Sequence, residues 1–115
     1  MNYKKNFKEK GYVIIEKFLN KGQLNNIKNE IKDITINQIK KFKYKVRNKD
    51  LKNILHFAMK QNSNLRKEIY NLLRYSFRIR QLQSDTRILK ILKKIGLKIP
   101  LYTDIPSLRV DFSDE

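Results

Sequence analysis

Few side chains in this sequence have the type and spacing that chemistry needs. His56, in "LHFAMK", is the single histidine, and an imidazole can carry a proton or bind a metal near neutral pH. No cysteine accompanies it, and Lys60 stands one helical turn away where a second ligand would be expected. His56 therefore reads first as a structural residue beside Leu55 and Phe57 on an amphipathic helix. Arg109 and Asp111, in "LRVD", are the other candidates. On a strand they share one face, where the guanidinium fork could take the carboxylate of a substrate or co-substrate. A local ion pair between exposed neighbours is the plainer reading of the same spacing. A third group, "LRKEIYNLLRYSFRIR" (residues 65 to 80), interleaves Arg66, Arg74, Arg78 and Arg80 with Tyr70, Tyr75 and Phe77. Arg74 and Arg78, one turn apart on a helix, could follow a phosphate backbone.

The charge supports that last idea only in part. The 115 residues carry a formal net charge of +16, which in isolation suggests a polyanionic partner. Yet 20 lysines stand against seven arginines, with 15 isoleucines, 12 asparagines and only three glycines. That skew follows an AT-rich coding bias, whereas a surface shaped for phosphate would favour the arginine fork. Composition is thus the preferred source of the charge, and nucleic acid is not the expected partner. The absence of cysteine excludes disulfide frameworks and thiolate metal sites. The longest apolar run, Tyr12 to Ile15, is far too short to span a bilayer. A cytoplasmic chain with no membrane partner is expected.

The elements that must position these residues read mostly as helices. A helix over about residues 2 to 10 should end at Gly11. "GYVIIEKF", residues 11 to 18, then reads as a short strand, because Val13, Ile14 and Ile15 are consecutive and β-branched. Asn20 is a predicted N-cap, with Gln23 in the capping-box position. Leu24, Ile27, Ile31 and Ile34 line one face of the helix that follows, which is expected to run to about residue 46. Asp50 and Ser63 are expected to cap two further helices, the second continuing toward Arg80. Ser84 or Asp85 starts a fifth, terminated by Gly96. After Pro106, Leu108, Val110 and Phe112 alternate with polar residues, the period-2 pattern of a strand with one buried face. The predicted fold class is α+β: about five helices forming a layer, an early short strand and a terminal strand.

A family resemblance fits this order. "FKEKGYVIIEKFLNKGQLNNIKNEI", residues 7 to 31, resembles the N-terminal entry of the phytanoyl-CoA dioxygenase family. Shared are a Phe, a Gly-Tyr opening an aliphatic segment, an aromatic-Leu pair, and a capped helix of Leu and Ile. "LRVD" after Pro106 is similar to the Arg-x-Asp strand that lies shortly before the first metal motif in bacterial members. The resemblance implies a non-haem Fe(II) and 2-oxoglutarate dependent dioxygenase, a hydroxylase of a small-molecule substrate, built on a double-stranded β-helix of jelly-roll type. In such enzymes two His and one carboxylate hold the iron and leave positions open for chemistry.

The decisive motif, His-x-Asp with a distant second His, has no counterpart here. Ala58 occupies the position two after His56, and no second histidine follows. The expectation is that residues 1 to 115 form a single partial domain, the N-terminal part of a longer dioxygenase. Such a chain would be inactive alone and bind neither Fe(II) nor 2-oxoglutarate, with the remaining β-helix as its natural partner. Apolar surface left open by that loss predicts self-association. The rival reading is a small basic helical protein that binds nucleic acid or another partner.

Overall fold

In the computed structural model, residues 2–100 and 109–111 are described. Six helices are found among them: α1 (Tyr3–Lys10), α2 (Lys21–Lys41), α3 (Leu51–Gln61), α4 (Ser63–Leu73), α5 (Phe77–Gln83) and α6 (Thr86–Lys94). The α+β expectation is corrected, because no strand occurs among the described residues. In the early segment, burial does alternate: Val13 and Ile15 are half-buried while Tyr12 and Ile14 are exposed. Three consecutive β-branched residues predict a strand covered on both faces, but Ile14 is exposed and the segment has no hydrogen-bonded neighbour among the described residues. The terminal strand lies mostly outside the described residues. Its described part, Arg109 to Asp111, forms no ladder.

Helix starts follow the side chains that can satisfy free N–H groups. Asn20 accepts from the Gln23 amide at 2.8 Å while the Gln23 side chain accepts from the Asn20 amide at 3.1 Å, completing the expected capping box. Asn62 rather than Ser63 caps α4, accepting from the amides of Asn64 and Leu65. Asp85 caps α6 through the Arg87 amide. The helix expected to reach Arg80 breaks instead at residues 74–76, and Ser76 caps α5 by accepting from the Ile79 amide at 3.4 Å.

Helix ends explain the other shortened element. α2 stops at Lys41, not near residue 46, because Lys43 takes a left-handed conformation with φ 67°. The Tyr44 amide then donates to the Ile39 carbonyl at 3.1 Å and the Lys43 amide to that of Lys40 at 2.9 Å. These two bonds define a Schellman end, normally a glycine position. α6 ends the same way at Gly96, φ 109°, with the Leu97 amide donating to the Leu92 carbonyl.

The core sits between α2, α3 and α4. Its buried apolar residues are Ile31 and Ile39 from α2, Ile54, Ala58 and Met59 from α3, and Leu65, Ile69 and Leu73 from α4. Thr35 is also fully buried, and its hydroxyl donates to the Ile31 carbonyl at 2.7 Å, so the polar group is satisfied within its own helix. α5 packs on α2, while α1 packs on α6 at one side of this core. α6 carries the apolar positions Ile88, Ile91, Leu92 and Ile95, yet none of its residues is buried. No helix among the described residues is long and apolar enough to cross a membrane.

Candidate functional site

The predicted site residues are brought together at the surface. Arg109 Nε donates to Asp111 Oδ1 at 2.8 Å, and their side chains are 83% and 70% exposed. Val110 between them packs against the core, and its amide donates to the Tyr70 hydroxyl at 3.4 Å. The alternation seen in sequence is therefore real over these three residues. An ion pair so exposed contributes little to stability.

His56 lies on the exposed side of α3, flanked by half-buried Leu55 and by Phe57. Among the described residues no three His, Cys, Asp or Glu side chains converge to hold a metal. The residues present therefore do not fit the ferrous iron that the family resemblance implies, and no chemical step is derived through it.

The arginine-rich segment is divided by the break at residues 74–76. Arg74 closes α4 and Arg78 belongs to α5, so they do not stand one turn apart on a single helix. Tyr75 and Phe77 project at this corner, 64% and 67% exposed. The Arg80 guanidinium lies over the Tyr75 ring at 5.3 Å and that of Arg78 over Phe77 at 5.9 Å. The corner is fixed by a residue that sequence reading missed, Glu30 of α2. Its Oε2 accepts from the buried Ser76 hydroxyl at 2.5 Å and from the Arg78 amide at 2.8 Å. Ser76 followed by an aromatic and a new apolar phase was the available signal.

A second missed residue, Arg87, ties α6 to the segment before α2. Its Nη2 meets Asp85 Oδ2 at 2.6 Å, its Nη1 donates to the Phe18 carbonyl at 3.0 Å, and its guanidinium lies 4.3 Å from the Phe18 ring centre. The Arg87 side-chain hydrogen bonds, helped by its backbone amide, hold the Asp85 carboxyl below the ordinary carboxylate range. The same bonds push the Arg87 guanidinium upward.

A groove with an apolar floor lies between α3 and the segment after α2, with a volume of about 500 Å³. Ile39, Tyr44, Ile54 and Phe57 contribute apolar surface, and Lys43, Lys45 and Arg47 bring charge. Tyr44 and Phe57 meet edge to face, ring centres 5.8 Å apart. Comparisons with protein families, with curated proteins and with solved structures find no match to this chain.

Proposed function

We infer that this chain is the helical layer of an Fe(II) and 2-oxoglutarate dependent dioxygenase of the phytanoyl-CoA dioxygenase family, inactive alone and packed against catalytic residues supplied elsewhere. The resemblance over residues 7 to 31 motivates the reading. Two local features of that stretch are compatible with it: α1 closes at Gly11, φ 79°, and the capping box opens α2 at Asn20. The expected strand between them is no part of the support.

The observation that carries the proposal is the exposed apolar side chains in the segments that follow α1 and α6: Tyr12 and Ile14 are 57% and 66% exposed, and Leu97 and Ile99 are 47% and 80% exposed. The apolar stripe of α6 also buries no residue fully. Large apolar side chains left this exposed give another body a place to pack. In this reading, Arg109 is the residue closest in type to a carboxylate contact for substrate or co-substrate, and Arg109→Lys in the active enzyme tests it by turnover and co-substrate affinity. A cytoplasmic setting goes with 2-oxoglutarate, a metabolite of the cell interior.

The test is the open reading frame that encodes these residues. A His-x-Asp shortly downstream in frame, with a second His much later, is the expected result. A stop codon directly after Glu115 would overturn the proposal.

A further inference from the structure

The groove beside α3 combines three features that point to one class of ligand, and the inference does not depend on the dioxygenase reading. Its floor is apolar and aromatic, with Tyr44, Val46 and Phe57 as the accessible surface over the buried Ile39 and Ile54. Its cations are Lys43, Lys45 and Arg47, and none of them has an acidic partner among the described residues. No carboxylate lines it. Asp50, the next acid along the chain, is engaged by its own neighbours, donating its amide to Asn48 Oδ1 at 2.8 Å and accepting from Asn53 Nδ2 at 3.3 Å.

Amides complete the lining. With those bonds made, Asn48 keeps its NH₂ group, Asn53 keeps its carbonyl oxygen, and Gln61 offers both. An acyl chain with a charged head would use the apolar floor and the cations but make no contact with these exposed amides, which would stay hydrated. A flat heterocycle carrying phosphate uses all three: stacking on aromatic surface, donor and acceptor contacts to the amides, and phosphate on the cations. The volume of about 500 Å³ suits a molecule of that size.

The backbone adds an independent observation. Lys43 occupies the left-handed position of a Schellman end at φ 67°, while the equivalent position of α6 is Gly96. Strain of this kind persists at ligand clamps. Here it keeps a cation at the rim of the groove where a glycine would relax the helix end.

We propose that this groove binds a nucleotide unit, with the phosphate held by Lys43, Lys45 and Arg47 and the base placed against Tyr44 and Phe57. The unit is either a free nucleoside phosphate or one residue of a single strand. Calorimetric titration of the full chain with ADP, inorganic phosphate and a short oligoadenylate separates these sources. Saturable one-site binding of ADP above that of phosphate assigns a free nucleotide, and tighter binding of the oligoadenylate at the same groove assigns the strand. In either case Arg47→Glu weakens binding by about tenfold or more, the loss of a charge-assisted contact. Lys90→Glu, an equal charge change on α6, leaves it within about twofold, because salt screens distant charges. Lys43→Gly weakens binding while the fold becomes more stable, which separates ligand loss from unfolding. The proposal is overturned if neither ADP nor the oligoadenylate binds saturably and more tightly than phosphate, or if Lys90→Glu weakens binding as much as Arg47→Glu.

Discussion

Two residues show how much a local choice decides. Lys43 holds φ 67° with a β-carbon that the left-handed region disfavours by roughly 1–2 kcal/mol. Replacing it with glycine removes that strain but gives the unfolded chain more freedom. The net expectation for Lys43→Gly is a gain of about 1 kcal/mol, read from the urea midpoint at constant slope. Asp85 supplies a pH dependence. Its carboxyl titrates below the ordinary range because Arg87 donates to it, so its contribution to folding is present above the unfolded pKa and is lost as pH falls through the folded one. The urea midpoint should drop between neutral pH and the acid side of the carboxylate range, and the drop should be smaller in Asp85→Asn, which keeps a capping oxygen without the charge. An unchanged drop would remove Asp85 from the clamp.

Among the elements, burial ranks what each helix contributes. Leu65 of α4 is fully buried, and Leu65→Ala should cost about 2–5 kcal/mol, transfer and cavity together. Ile91 of α6 is only half-buried, and Ile91→Ala should cost about 1 kcal/mol or less. Chemical denaturation of both variants checks the order. The same contrast explains what could be read from sequence. Helices α2 and α6 were legible because cap and apolar spacing agree, Asn20 with Gln23 and Asp85 before Ile88 and Leu92. Apolar spacing alone made α3 and α4 legible, since the expected cap Asp50 makes no capping hydrogen bond and Asn62, not Ser63, caps α4, while α1 was legible from its end at Gly11. The break at Ser76 was not, because Glu30, 46 residues away, supplies half of its hydrogen bonding. The end of α2 was missed because a lysine stands where glycine is the usual signal. The early strand failed for a tertiary reason, since a β-branched run such as Val13 to Ile15 favours extended chain but does not supply the neighbour that makes a ladder. The groove was hidden similarly, as Tyr44 and Phe57 belong to separate elements. Arg109 and Asp111 were legible as a pair because two residues on one face are close whatever surrounds them.

As a whole, the molecule is long for its size. Its radius of gyration is 16.9 Å, with extents of 49 × 29 × 28 Å, against about 13 Å for a compact chain of this length. Among the described residues the buried apolar side chains belong to α2, α3 and α4, while α1 and α6 bury none and exposed apolar residues follow each of them. That distribution is what a layer waiting for a second body would have, and it is the basis of the proposed role. The most direct measurement is succinate formation from 2-oxoglutarate by the product of the entire reading frame, with and without Fe(II), in the native protein and in a variant carrying Ile14→Glu. Iron-dependent succinate that falls sharply in Ile14→Glu is the predicted result. No iron-dependent succinate from the native protein would contradict the account, and activity untouched by Ile14→Glu would contradict a packing role for the open layer.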